Sequence, residues 1–401
     1  MTSQQPEHSL HTLCPVCGAE STREFFALES VPLHCNVLWE SRREALAAPR
    51  GEVRLIFCIT CGHVYNRSFR PDLMEYSQQY ENSLHFSPFF QGYAQETAQK
   101  LVNRHQLKNK QVVEIGCGKG EFLRLLCGLG NNRGIGFDPS FSPERLTEKE
   151  DPQVTFVQDF YGRAHGNHEA DLIVCRHVLE HISDPYSFLC DLRENLNGGK
   201  KTALFFEVPN ALFILRDLSI WDLIYEHCSY FTPESFAAVF ESAGFRVTSL
   251  ESTFGEQFLT LEAFARGAGG FAPGNPERIP HEYGGFLEKF SGKFLGKVEE
   301  WNRILKEMHR AGRRVVLWGA GSKGASFLNM TAGAHMVEHV VDINPHKWGK
   351  YVAGTGQAIV SPEFLKQTPP HAIVVMNAIY LHEIQRMTGD MGLFPEFFTV
   401  S

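Results

Sequence analysis

Short apolar runs separated by amphipathic stretches organise the middle of this 401-residue chain. Runs at 112–115, 134–137, 172–175, 203–208 and 259–264 read as strands, and the stretches between them carry apolar positions at helical spacing. That alternation predicts a mostly parallel sheet covered by helices. The pattern lapses at Gly267-Ala-Gly-Gly-Phe-Ala-Pro-Gly-Asn-Pro276, which reads as a linker. An amphipathic segment from Tyr283 to Arg310 follows. The rhythm then restarts in Arg314-Val-Val-Leu-Trp-Gly-Ala-Gly-Ser-Lys323, with further strands expected at 337–341 and 372–375. Three regions result: 1–70, 71–268 and 269–401. The two strand–glycine–helix units read as distant echoes of each other.

Composition narrows the class. Hydrophobic content of 43% and charged content of 21% are those of a globular protein. A net charge of −8 weighs against a nucleic-acid partner, though a few local cations could still hold a small anion. The polar start, Met1 to His11, lacks the basic and apolar parts of a secretory leader, and no apolar run is long enough to span a bilayer. A cytoplasmic location without membrane partners is expected. In that reducing setting the ten cysteines read as metal ligands or buried small hydrophobes.

Four cysteines carry a metal signal. Cys14-Pro-Val-Cys17 and Cys58-Ile-Thr-Cys61 are paired knuckles, each tight enough to aim two thiolates at one ion, and together they predict a structural zinc site. A single pair would leave a redox reading open. The stretch between the knuckles is long enough to carry extra strands.

A second constellation points to a cofactor. Glu114-Ile-Gly116-Cys-Gly118-Lys-Gly120 follows an apolar strand and precedes a helix-forming stretch. Glycines let the backbone approach a ligand, and a helix N-terminus favours a carboxylate there. Dinucleotide binders share such a loop. Glu114 discriminates, because it can pair with the ammonium of a methionine and would repel a pyrophosphate. Asp138 ends the next strand, where a carboxylate accepts ribose hydroxyls, with Pro139 beside it. Gln158, Asp159 and Phe160 fall at the end of a third strand, in position for adenine. Arg176 and His177 end a fourth strand on the reaction side. Together these predict S-adenosylmethionine.

Two clusters could do chemistry. His177-Val-Leu-Glu-His181 places two imidazoles four apart on one side of a helical turn; the same pattern also serves only to shape a cofactor pocket. Tyr225-Glu226-His227 precedes a capped helix start at Thr232, and a neutral imidazole near a carboxylate is a general base at neutral pH. A hydrogen bond that merely anchors a loop is the alternative. Upstream, Tyr76 and Tyr80 sit in a polar–aromatic segment suited to a lid over both ligands.

With these residues in view the chain resembles the three-domain, zinc-containing sugar C-methyltransferases, which methylate C3 of nucleotide-linked 4-keto-deoxysugars. The likeness runs through both knuckles, the Glu114–Gly120 loop, His181, Glu226–His227, Trp318-Gly-Ala-Gly-Ser-Lys323-Gly324, Val341-Asp342-Ile-Asn-Pro345 and Gly349-Lys350-Tyr351. The resemblance implies an α/β fold: a class I, Rossmann-like methyltransferase domain between an N-terminal zinc module and a C-terminal Rossmann-like substrate domain, in a monomer or small homo-oligomer. It implies His227 as the base, Glu226 beside it, and His181 with a tyrosine matching Tyr76 or Tyr80 around the sugar; Tyr225, next to Glu226, joins the candidate catalytic residues. The chain departs from that family in reading Ile224-Tyr225-Glu226-His227 without a second histidine, Met376-Asn377 near the last sheet, and Glu81-Asn-Ser-Leu-His-Phe-Ser87 in the lead-in. These departures leave open C-, O- or N-methylation of another small metabolite. A non-catalytic protein that binds the cofactor is a third reading, disfavoured by the intact Glu226–His227 pair.

Overall fold

A computed structural model of the chain describes residues 13–74, 80–143, 152–165, 169–196, 201–266 and 279–400. The expected linker and Tyr76 lie outside the described residues. The N-terminal stretch gives strands β1 (Thr22–Pro32), β2 (Arg50–Cys58) and β3 (Val64–Asn66). The middle stretch gives β4 (Gln111–Ile115), β5 (Arg133–Phe137), β6 (Val154–Val157), β7 (Leu172–Arg176) and β8 (Ala203–Pro209). Short β9 (Ser229–Tyr230) and the pair β10 (Phe245–Thr253) and β11 (Phe258–Ala265) follow. The C-terminal stretch gives β12 (Val315–Trp318), β13 (Val337–Val341), β14 (Ile359–Val360), β15 (Ala372–Val375) and β16 (Glu396–Thr399).

Among the described residues these strands form three sheets. The central one has the order β10-β11-β8-β7-β4-β5-β6, with β4 to β8 parallel and β11 antiparallel to β8. This is the class I methyltransferase arrangement, and its strand order reverses between β4 and β7. Ligands bind at such a reversal, outside the carboxyl ends of the strands. The C-terminal sheet, β14-β13-β12-β15-β16, is wholly parallel and reverses between β12 and β15. The N-terminal sheet, β1-β2-β3-β9, takes its last strand from the middle stretch, so the segment carrying His227 is stitched to the N-terminal region.

The strands at 112–115, 134–137, 172–175, 203–208 and 259–264 appear where expected, each extended by a residue or two, and 337–341 and 372–375 coincide with β13 and β15. β4, β7 and β8 are almost entirely buried and mostly apolar, as parallel strands covered on both faces must be, with Glu114, Arg176 and Glu207 as their buried charged residues. The helix Glu282–Arg310 buries Tyr283, Leu287, Phe290, Phe294, Trp301, Leu305 and Met308 at three-, four- and seven-residue spacing, one continuous stripe. Near its start Phe290 meets Phe25 and Phe26 of β1 edge-on, at 5.8 and 5.1 Å between ring centroids. Near its end Leu305 and Met308 join the core of the C-terminal sheet. One hydrophobic cluster therefore runs from the N-terminal sheet along this helix into the C-terminal sheet. Among the described residues no helix is long and apolar enough to cross a membrane.

Candidate active site

The loop after β4 is shaped by two glycines that cannot carry a side chain. Gly116 and Gly120 have φ of +70° and +81°, and a Cβ on them would meet Val178 at 2.1 Å and Phe156 at 2.3 Å. Asp138, at the end of β5, accepts the Gly118 amide at 2.8 Å and the Ser140 amide at 2.7 Å, which ties the loop to the neighbouring strand. Pro139 follows, its carbonyl 3.4 Å from the Gln158 amide. Glu114 is 3% exposed, and its Oε2 is buried without a hydrogen-bond partner. Burial pushes its carboxyl up to about 8, with Glu121 and Asp138 adding to the effect against Arg176. A buried carboxyl with one unpartnered oxygen and two more acidic side chains around it suits the ammonium of S-adenosylmethionine. Asp159 is tied to Phe160 N at 2.8 Å, and the Phe160 ring is 65% exposed, free to cover an aromatic base.

Arg176 and His177 are gathered by one carboxylate. Glu207 accepts Arg176 Nε at 3.0 Å, lies 3.0 Å from His177 Nε2 and accepts the Tyr93 hydroxyl. Burial opposes the charge on His177, but Glu180 and Glu207 outweigh it and lift the imidazole to about 9. Arg176 lies over the Phe122 ring at 4.1 Å and is buried, behind His177. The sequence places His177 and His181 on one helical turn; His177 instead leaves β7 at φ +54°, and a 3-10 turn spans Leu179–His181. Both rings still line the same cavity.

That cavity, of about 300 Å³, runs between the central and C-terminal sheets. In its lining His181 and His227 meet, with Glu180 so close that ligand atoms of the three lie within 4.8 Å of one another. Burial, with His181 adding, lowers the His227 imidazole to about 4 against the pull of Glu180 and Glu226. His227 is therefore neutral at pH 7, and its Nδ1 has no hydrogen-bond partner. Burial opposes the charge of Glu180, yet His177, His181 and His227 hold its carboxyl below the ordinary range.

Three of the six expected catalytic side chains, His181, His227 and Tyr80, line this cavity. Tyr225 and Glu226 turn away. The Tyr225 hydroxyl bonds to Arg70 N at 3.0 Å and its ring packs on Phe69. Glu226, fully buried, accepts Cys35 N at 2.9 Å and lies 3.9 Å from His34. What Glu226 gives the site is its backbone carbonyl, 2.9 Å from His181 Nδ1.

Along the same cavity, the loop after β12 repeats the geometry of the first. Asp342, at the end of β13, accepts the Ala320 amide at 2.8 Å, and the helix Ser322–Met330 opens beyond it. Lys323 donates to Asp222 at 2.8 Å, and Lys347 donates to Ala320 O at 3.2 Å. Gln257 and Asn377 exchange side-chain hydrogen bonds of 3.1 and 2.8 Å beside them. Glu180, Asn36, Asp222, Gln257 and Lys347 line the cavity without having been singled out from the sequence. Glu180 alone carried a legible signal, lying inside the His177–His181 motif.

The four knuckle cysteines converge. Cys14 and Cys61 sulfurs are 3.6 Å apart, as are those of Cys17 and Cys58, and all four lie within 4.8 Å of one another. A tetrahedron with zinc–sulfur bonds of about 2.3 Å has edges of about 3.8 Å. Each knuckle closes on a glycine, Gly18 N to Cys14 O and Gly62 N to Cys58 O, both at 2.9 Å. The donor set and its spacing fit a structural zinc.

Residues 90–250 match the family described as "Methyltransferase domain", a span that includes the Glu114 loop, Asp138 and His227. Residues 283–392 match the family described as "C-methyltransferase C-terminal domain". The C-methyltransferase NovU of Streptomyces niveus is 25% identical over 393 residues, 92% of this chain and 90% of that protein. A tRNA U34 carboxymethyltransferase of Campylobacter fetus subsp. fetus is 30% identical over 119 residues, 28% of this chain and 39% of that protein. The magnesium protoporphyrin IX methyltransferase of Synechocystis, solved with bound S-adenosylhomocysteine, has 18% identity and a TM-score of 0.35. That likeness covers 44% of this chain and 84% of that one.

Proposed function

Since the chain is an S-adenosylmethionine-dependent C-methyltransferase, we propose that it methylates C3 of a nucleotide-linked 4-keto-deoxysugar, with His227 as the base. The observation that carries this reading is the cavity itself. Its lining brings together a neutral imidazole with an unpartnered Nδ1, two lysines and a glycine loop before a helix N-terminus. A ligand with a ketone-bearing ring at one end and phosphates at the other matches this lining.

A C3–H bond next to a C4 ketone is acidic enough for an imidazole to break. His227 takes the proton, and the electron pair moves into the enolate. Glu180, beside both histidines, is placed to balance the imidazolium that forms. His181, oriented through Nδ1 by Glu226 O, packs edge-on against His227 and limits the directions in which that ring can turn. S-adenosylmethionine, when bound, would supply the electrophilic methyl group that C3 acquires, with S-adenosylhomocysteine as the leaving product. Glu114 and Asp138 would hold that cofactor at its ammonium and ribose, and Lys323 and Lys347 would meet the substrate phosphates. The zinc cluster would brace the N-terminal sheet, away from the chemistry.

The test is a panel of thymidine- and uridine-linked 4-keto-deoxysugars with S-adenosylmethionine, reading S-adenosylhomocysteine release and the new carbon–methyl signal by NMR. Methyl transfer to oxygen or nitrogen, or turnover of none of the panel, would reject the sugar assignment.

A further inference from the structure

Between the two glycine loops lies an unbroken run of hydrogen bonds through one short segment. Glu81 is 1% exposed and fixed at its backbone by Asn36 O, 2.9 Å from Glu81 N. Its Oε1 accepts Asn344 Nδ2 at 3.0 Å and Ser83 N at 3.2 Å. On the C-terminal side, Asn344 N donates to Asp342 at 2.8 Å, and Asp342 holds the Ala320 amide of the glycine loop. On the other side, the Ser83 hydroxyl donates at 2.8 Å to Glu121, the first residue of the helix that follows Gly120. Glu121 acts electrostatically on Glu114. Both Ser83 and Asn344 line the cavity.

We propose that Glu81 and Ser83 are positioning residues that couple the two ligand sites, so that a nucleoside diphosphate on the C-terminal loop tightens cofactor binding at the central loop, and the reverse. This rests on the assignment of those two sites made above. The physical link is the economy of a buried carboxylate: Glu81 must keep its partners, because an unpaired acceptor without water is costly. A phosphate drawing on Lys347 withdraws a cation from Asp342, 3.4 Å away, and leaves that carboxylate more dependent on the Asn344 amide. Asn344 then fixes Glu81, Glu81 fixes Ser83, and Ser83 fixes Glu121 beside the ammonium pocket. Coupling of this kind is reciprocal by linkage, and two-site couplings commonly amount to factors of about 5–150.

Calorimetry on the full chain tests it. S-adenosylhomocysteine is titrated alone and with saturating thymidine diphosphate, and the ratio of the two affinities is the readout. The expected ratio in the unmodified protein is on the order of ten. Glu81→Ala should bring it close to one, whereas Glu81→Gln, whose amide oxygen can accept the same two N–H groups, should keep most of it. A merely structural role would weaken both titrations and leave the ratio unchanged. Ser83→Ala removes a single hydroxyl at the surface of the cavity and should also abolish the ratio, which covers the case in which Glu81→Ala does not fold. A ratio of one in the unmodified protein, or an undiminished ratio in Glu81→Ala or Ser83→Ala, overturns the coupling alone. Absence of any thymidine diphosphate binding overturns it together with the phosphate-site assignment beneath it.

Discussion

His181 and His227 meet edge to face, with ring centroids 5.0 Å apart and planes at 78°. The pairing makes their roles unequal. His181 is fixed through Nδ1 by a backbone carbonyl, whereas His227 keeps an unpartnered Nδ1 and is held neutral by burial and by its neighbour. One ring is a wall; the other is available for a proton.

Replacing His227 by Asn should cut turnover by about 10²–10⁴-fold, the usual contribution of a general base, while S-adenosylhomocysteine affinity stays within about twofold. The variant should also lose exchange of the substrate's acidic hydrogen with solvent deuterium, an assay that needs no methyl transfer. Normal turnover would remove His227 from the base role. If exchange persists while methylation fails, another group takes the proton.

The pH profile follows from the direction of the His227 shift. A base acts when unprotonated, and with the folded value lowered to about 4, kcat/KM should stay level below the ordinary histidine range and decline only towards pH 4. Stability moves the same way. Between the ordinary value near 6.5 and about 4, the unfolded chain binds the proton and the folded one does not. The contribution of His227 is therefore present above 6.5 and lost as pH falls through that window. A midpoint for kcat/KM at or above 6.5 would contradict this.

The cofactor assignment is checked by protons. Glu114 is largely protonated at pH 7 when its pocket is empty of cations, because its carboxyl is lifted to about 8. An ammonium requires the ionised form, so binding of S-adenosylhomocysteine should release a proton at neutral pH and strengthen as pH rises towards 8. Calorimetry in buffers of different ionisation heat measures that proton directly. Glu114→Gln should abolish the release. Asp138→Ala should weaken binding by about 1–3 kcal/mol, the scale for losing hydrogen bonds to a charged group. Unchanged affinity in both variants would exclude this loop as the cofactor site.

Much of the geometry of the loop after β4, the candidate cofactor side, was legible because its constraints are local. A glycine loop, the acidic residue before it and the carboxylate ending the next strand are set by spacing within one strand–helix–strand unit. The substrate side was less so. Glu81 meets Asn344 across 263 positions of sequence, and Ser87 meets Glu383 across 296, contacts that no periodicity announces. Glu226 illustrates a different limit. Neighbours in a turn need not face the same way, and the backbone at Tyr225–Glu226 sends one side chain towards Arg70 and the other towards Cys35, while His227 faces the cavity.

Metal analysis of the purified protein should find one zinc per chain, held by Cys14, Cys17, Cys58 and Cys61. Cys58→Ser should lose it and lower the thermal midpoint, since Cys58 ends β2 and the sheet it belongs to shares a core with the C-terminal region. Full-length protein with no stoichiometric zinc, or with a Cys14–Cys17 disulfide, would reject the site.

The two carboxylates near His227 should separate cleanly by readout. Glu226 is buried beneath the site and holds the backbone of Cys35, so Glu226→Ala leaves an N–H without its partner. It should lower stability by about 1–3 kcal/mol in denaturant unfolding. Because Glu226 also pulls the His227 value up, though less than Glu180, its loss should move the pH profile towards acid by less than loss of Glu180 does. Glu180 is the converse case. It lies within reach of both imidazoles and lines the cavity, so Glu180→Gln keeps the shape and removes the charge that balances a protonated His227. With Glu180 pulling His227 up and burial pushing it down, neutralising Glu180 should lower the His227 value further and extend the level part of the profile to more acid pH. Turnover should fall at the same time, since the imidazolium formed during proton removal loses its counter-charge, while KM for the substrate changes less than kcat. The opposite pattern, with Glu226→Gln depressing kcat and Glu180→Gln silent, would return the supporting role to Glu226.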